Sequence, residues 1–400
     1  MKRWVIAAVV AAAVVVGGIL LARRLLKPYM YSAQGPARVI SVPSYPEPAN
    51  NGFRELRLVT ADVWTHSDAI GDAHALEWDV EPEGLGEIRT ATQSAMRDAR
   101  EALAGECLQP QPRAPFQSFP YFAHFRVAIA LCVVLGREHE RAGRYAEAID
   151  SYTDGLRLSS VVSRNGEIIH HMVGAACASS VAPDLARCVG SGDVSADRLR
   201  VLADDLRKLS ADAPPFYEAL QVEWATTEEL LASLSQGATA LQRVGLGAAT
   251  PNPRVRGALA QAGWWEANEK FSDSIDDARK PWPERSYEMP EPETKAGSAV
   301  LPVFANAGSK AVERDALLAG LRVQAAIELH RLERGALPAS LAELSDLPLD
   351  PCRAQPFIYQ GDGDEYVLYS VGCDMVDEGG EPRLGPDPYA GDLIIWTSGA

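Results

Sequence analysis

Between Cys373 and Asp392 the chain sets six carboxylates, Asp374, Asp377, Glu378, Glu381, Asp387 and Asp392, among Gly372, Gly379, Gly380, Gly385 and Gly391. A calcium ion takes about six to eight hard oxygen ligands, and glycines let backbone carbonyls turn inward while carboxylates balance the charge. Composition therefore makes this loop a candidate cation site, although an acidic run is also the ordinary make-up of a solvated loop.

A second chemistry lies in the cysteines Cys107, Cys132, Cys177, Cys188, Cys352 and Cys373. Asp362-Gly363 stands between the apolar runs 356–359 and 366–371, and Asp-Gly is a strong two-residue hairpin signal. With those two residues as the loop, opposed residues sum to 725, and so do 352 and 373. Parity puts that pair at a non-hydrogen-bonded position, where Cα atoms lie about 4.5 Å apart, inside the disulfide window. A Cys352–Cys373 bridge is therefore expected unless Pro351 and Pro356 end the ladder early. The bridge implies an oxidising compartment.

Other reactive residues carry weaker patterns. His66, Asp68, Asp72 and His74 match no strong zinc spacing, His139-Glu140 lacks the second histidine of a zincin helix, and the adjacent His170 and His171 diverge by about 100° on a helix. There is no Gly-x-Ser-x-Gly elbow or Walker loop, and Gly245 to Thr250 stops short of a dinucleotide fingerprint. Trp264, Trp265 and Trp282 suit a core better than a ligand groove.

These residues sit in a chain of 400 residues with 38 basic and 54 acidic side chains, a net charge of −16 that repels nucleic-acid phosphates. The last 60 residues hold twelve carboxylates against only Arg353 and Arg383. At the other end, residues 4–22 carry no charge and as a helix span about 30 Å, which predicts one retained transmembrane helix in segment 1–27. Arg23, Arg24 and Lys27 weakly favour a cytoplasmic body by the positive-inside rule, whereas the cysteine pair favours an extracytoplasmic one. Residues 28–52, with Pro36, Pro43, Pro46 and Pro48, read as a stalk.

Helical periodicity dominates residues 53–280. Ile88, Ala91, Ala95, Met96, Ala99 and Leu103 recur at helical spacing, as do Leu199, Leu202, Leu206 and Leu209 behind the N-cap candidate Ser195. The stretch from Arg141 to Leu158, with Gly143 at a turn and Tyr145, Ala148, Ile149, Tyr152 and Leu156 as packing positions, resembles the second half of a tetratricopeptide repeat. It occurs once, so the expected fold is mainly α, an irregular helical-hairpin array. A Pro-rich crossing loop follows at 281–302. A module at 303–400 is then predicted, with a long helix over 309–334 stopped by Gly335, a short helix near 337–344, the hairpin, and a third antiparallel strand at 393–396.

The order of that α+β module resembles the soluble part of the type II secretion major pseudopilin. The long helix is followed by Gly335-x-Leu337-Pro338, Asp350-Pro351, a hairpin, Leu368-Tyr369-Ser370-Val371-Gly372-x-Asp374, Gly379-Gly380, and Asp392-Leu393 leading to Trp396, about 90 residues in all. In that family the loop after the Tyr-Ser strand binds calcium. Asp374 and Asp392 fall on its acidic positions, and with Asp377 of the same loop they form the expected ligand set. The N-terminus lacks the prepilin-peptidase glycine and the fifth-position glutamate, so the chain is not itself a pilus subunit. The arrangement resembles membrane-anchored envelope proteins of bacteria. The expected function is a single-pass inner-membrane scaffold with a periplasmic body, binding a protein partner through its helices and linked to secretion or pilus-like machinery. The alternative is an envelope hydrolase acting on peptide or glycan, whose paired carboxylates no sequence spacing reveals.

Overall fold

The computed structural model describes residues 30–33, 35–111, 119–236, 253–286, 291–294, 297–298, 301, 307–381 and 391–398. The expected anchor at 4–22, Asp387 and the segment 245–250 lie outside the described residues. Among the described residues no helix is long and apolar enough to cross a membrane.

The chain is mainly helical with a small antiparallel sheet. Its helices are α1 (Gly52–Trp64), α2 (Ser67–Ala75), α3 (Leu85–Leu103), α4 (Tyr121–Arg141), α5 (Tyr145–Ser163), α6 (Ile168–Gly190), α7 (Ala196–Asp212), α8 (Phe216–Gln236), α9 (Pro253–Ala278) and α10 (Ala307–Arg334). The predicted stripes are largely the buried ones, although on α3 Ala91 is exposed, Thr92 is buried in its place and Leu103 is half-buried. Ile88, Ala95, Met96 and Ala99 turn inward on α3, and Leu199, Leu202, Leu206 and Leu209 on α7, whose N-cap Ser195 accepts the Arg198 N–H. Gly143, at φ +69°, turns α4 into α5, and Ala148, Ile149 and Tyr152 are fully buried in the α4–α5–α6 stack. A Cβ on Gly136 would lie 2.3 Å from the Tyr152 ring, so this glycine sets how closely α4 and α5 approach.

Helices α8 and α9 pair with each other around a core of their own, in which Leu220, Trp224, Leu231, Phe271 and Ile275 meet Ile168 of α6 and Ala307 of α10. The segment expected as a stalk is not free of the body. Arg38, Ile40 and Tyr45 lie against this hairpin, because the polar groups of residues 31–45 find partners on α8 and α9.

The C-terminal region is not a separate unit either. Helix α10 packs on α6 and α7 with one side and on the sheet with another, and Leu317, Leu321, Val323, Ile327, Phe357, Leu368 and Ile395 belong to the same core as the N-terminal helices. Being sandwiched, α10 buries residues nearly all round, Glu313, Gln324 and Glu328 included, while Leu332 is 44% exposed. The short second helix shrinks to a 3-10 turn at Leu341–Glu343.

Strands β1 (Ile358–Asp362), β2 (Glu365–Ser370) and β3 (Leu393–Thr397) form an antiparallel sheet in the order β1-β2-β3. The hairpin is shifted from the expected register. Asp362 pairs with Glu365 and Ile358 with Tyr369, so opposed residues sum to 727 and the loop is Gly363-Asp364. Gly363 takes φ +63° at the first central position, where a type II′ turn demands glycine, and this outcompetes the Asp-Gly alternative. The argument that aligned Cys352 with Cys373 is thereby overturned. The ladder ends at Ile358, and residues 351–354 turn away through the isolated bridge Asp350–Gln355. Both sulfurs are thiols in the structure. They nonetheless share one apolar cluster with Trp282, Val312 and Ala316.

Candidate functional site

In the acidic loop the three expected ligand carboxylates are engaged with the backbone. Asp374 accepts the N–H of Val376 at 3.1 Å and that of Gly391 at 3.3 Å. Asp377 accepts the Gly379 N–H at 2.9 Å and the Tyr369 hydroxyl at 3.0 Å, and Asp392 accepts the Gly380 N–H at 2.7 Å. Asp392 also donates its own N–H to Glu381 O at 3.0 Å, so the carboxylates tie the two ends of the loop together.

One oxygen is left over. Asp392 is 3% exposed and lies against Glu378, and its Oδ1 is buried with no hydrogen bond recorded among the described residues. Burial raises the Asp392 carboxyl above its ordinary value, and Glu378 is raised by desolvation and by the nearby Asp374 and Asp392 charges. An oxygen of this kind, crowded by acids, suits a cation or a shared proton. Among the described residues no group of three or more His, Cys, Asp or Glu side chains is placed to hold a metal ion.

A different site, which no motif announced, opens on the N-terminal helices. A groove of about 880 Å³ runs between the 44–47 segment, α1, residues 108–111 and the start of α4. Its frame is a chain of amide side chains. Asn51 caps α1 by accepting the Phe53 N–H, and also binds both backbone groups of Leu108, at 3.0 Å and 2.6 Å. Gln109 is fully buried and donates to Val162 O and Arg164 O, while Asn165, held at φ +60°, donates to Gln109 O at 2.7 Å. The Tyr121 hydroxyl donates to Gln109 Oε1 at 3.0 Å and lies 3.1 Å from His170 Nε2. Because His170 Nδ1 accepts the Glu167 N–H, the ring proton sits on Nε2 and points to Tyr121. Burial lowers the His170 pKa to about 3, so the ring is neutral.

With the framework satisfied internally, the groove presents Arg57, Arg54, Leu58 and His124. The Arg57 guanidinium stacks 5.3 Å from the Tyr121 ring, and among the described residues no carboxylate pairs with it. Arg54 is bonded to Glu47 at 2.7 Å, an exposed pair of little strength. The result is a cationic, aromatic-backed groove on an acidic protein.

The paired carboxylates that a hydrolase needs were invisible in sequence, and the structure brings one pair together. Glu167 is the N-cap of α6, its backbone carbonyl accepting the His170 N–H at 3.0 Å and its carboxylate meeting Thr226, and Glu223 of α8 accepts the Ile168 N–H at 3.3 Å. Burial, then the neighbouring Glu167, raises Glu223 to about 8. Both acids stand at the N-terminus of one helix, where burial and their mutual repulsion outweigh the favourable field of the unpaired amides. His66 and His74 stand at opposite ends of α2. Trp282 is buried and donates to Cys373 O at 2.9 Å, as a core residue does.

No family model matches the chain, and neither a curated protein nor a solved structure matches it.

Proposed function

We propose that this chain is a non-enzymatic scaffold of the bacterial envelope, anchored in the inner membrane by residues 4–22, that holds a protein partner in the groove at Arg57. The carrying observation is that guanidinium, stacked on Tyr121 and without a carboxylate partner among the described residues, beside the 68% exposed Leu58. An acidic side chain next to an apolar one is the chemistry that fits. Against the hydrolase alternative, Glu223 is engaged by the Ile168 N–H and Glu167 by Thr226.

A photo-crosslinking amino acid placed at position 58 in living cells should give one dominant adduct with an envelope protein, lost when Arg57→Glu is added and kept with Arg200→Glu on α7. An adduct pattern indifferent to Arg57→Glu would remove the reading.

The periplasmic placement of the body belongs to the same proposal. A reporter enzyme that folds only outside the cytoplasm should be active when fused after Ala400, and activity of a cytoplasmic reporter there instead would reverse the topology.

The acidic tail is proposed to be calcium-stabilised, with Asp374, Asp377 and Asp392 as ligands and the buried Asp392 Oδ1 as supporting observation. Binding to the folded state alone adds about 2.7 kcal/mol at 100 times the dissociation constant, or roughly 3 °C in melting temperature for a chain of this size. Since α10 shares its core with the body, the full chain is the object to melt. Identical melting in calcium and in chelator, with Asp392→Asn unchanged from the parent, would leave the loop as a solvated turn.

A further inference from the structure

Residues 31–33 and 35–45 lie on the α8–α9 hairpin in the manner of a bound peptide. The Asn268 side chain is 3% exposed and pairs with both backbone groups of Arg38, accepting its N–H at 2.9 Å and donating to its carbonyl at 2.9 Å. That contact reads main chain and is indifferent to side-chain identity. Selectivity comes from α9, where the Arg38 guanidinium meets Asp273, Asp276 at 3.3 Å and the carbonyl of Glu269 at 3.0 Å. These three positions follow one face of the helix. Tyr31 adds a hydroxyl bond to Glu269 at 2.9 Å, Tyr45 one to Glu218 at 2.6 Å, and Ile40 rests on the hairpin core.

Two features set this strap apart from ordinary packing. Its ion pairs are exposed, with Arg38 at 41%, Asp273 at 61% and Asp276 at 59%, so each is worth little, and Ile40 is its one contribution to the apolar cluster. The strap also fits loosely. A cavity of about 280 Å³ remains between Ala33, Gly35 and Pro36 on one side and Trp265, Asn268 and Asp273 on the other. A weakly held segment lies over a buried amide that would lose its partners if the groove emptied, and leaves space beside Trp265.

From this we infer that the α9 face is a peptide-binding site, filled in cis by the chain's own residues 31–45. It takes from a protein partner a segment without helix or strand that carries an arginine over Asp273 and Asp276, and bulkier residues than Ala33 and Gly35 before it. The cis strap competes at high effective concentration and keeps the site closed to weaker sequences. Residues 44–47 continue the strap into the wall of the Arg57 groove, so its release also alters that groove. The inference deepens the scaffold reading by giving a second partner surface, and it does not need Arg57.

The test uses the full chain in detergent micelles and a fluorescein-labelled synthetic peptide of residues 30–48. The strap is released by Arg38→Glu with Ile40→Asp, which leaves α8 and α9 intact. Fluorescence anisotropy should show the released chain binding the peptide at least tenfold more tightly than the parent. Adding Asn268→Ala or Asp273→Lys to it should abolish binding, as should replacing the peptide's own arginine by alanine. Arg57→Glu added to the released chain should leave peptide binding unchanged, which separates this site from the groove. Absence of saturable binding to the released chain would overturn the proposal. So would a cooperative loss of the helical signal on releasing the strap, since residues 31–45 would then be part of the core.

Discussion

Replacing Asp184 by alanine should lower the unfolding free energy by about 3–5 kcal/mol, a large effect for a residue outside both grooves. Asp184 is 4% exposed and holds two cations. The Arg137 fork engages both its oxygens, at 2.7 and 2.9 Å, and Arg187 adds a third bond at 2.7 Å. Arg187 also binds Glu140 at 2.8 Å, which in turn accepts the buried Tyr152 hydroxyl. Removing the shared carboxylate leaves two guanidinium groups facing each other with their side chains only 15% and 19% exposed. Water cannot fully repay that loss.

The damage should spread to a particular loop. Arg137 donates to the carbonyls of His74 and Leu76, Arg187 stacks 4.7 Å from the Trp78 ring, and Arg141 donates to Trp78 O. Limited proteolysis should therefore cut the Asp184→Ala chain first near residues 76–80, before global unfolding in urea. A change below about 1 kcal/mol in urea unfolding would mean that the cations find solvent readily and the network is not buried in practice.

The second large effect is a pH dependence centred on Glu223. The folded chain keeps a proton on this acid up to about 8, whereas the carboxyl of the unfolded chain titrates near 4.5. Its stabilising contribution is whole below the unfolded value, falls by about 1.36 kcal/mol per pH unit above it, and is gone once the pH passes the folded value. Raising the pH from 5 to 8.5 should therefore cost roughly 3–5 kcal/mol, shared with Glu167, which burial raises as well. Glu223→Gln keeps an oxygen for the Ile168 N–H and carries no charge. It should at least halve the slope and make the chain more stable than the parent at pH 8.5. Denaturation midpoints that run parallel for parent and variant across this range would place the pH dependence elsewhere.

The electrostatic sites differ in how far the sequence foretold them. The acidic loop was visible as composition, since six acids in 20 residues need no contact map, yet its carboxylates act first as acceptors for Val376, Gly379, Gly380 and Gly391 amides. The Arg57 groove had no signature. Its polar frame joins Asn51 to Leu108 and Gln109 to Val162, residues more than 50 positions apart whose spacing carries no period. Asn51 was legible at most as the cap of α1.

Local and periodic features were legible in the chain before folding. Stripes at helical spacing located α3 and α7, Ser195 and Gly335 marked ends of helices, and the runs around Gly363 and at 393–396 marked three strands, because such signals depend on neighbours within a few residues. Contacts between residues far apart in the chain set the rest. The hairpin register turned on which of two adjacent dipeptides best carries the turn, a small energy difference that moved Cys352 out of line with Cys373. The stalk became a strap because Asn268, Asp273 and Glu218 lie more than 170 residues away along the chain and offer bonds that its own composition does not predict. Helix α10 became central because the sheet covers one side and α6 and α7 the other, and burial on two sides removes the one-faced pattern from which a helix's environment is read.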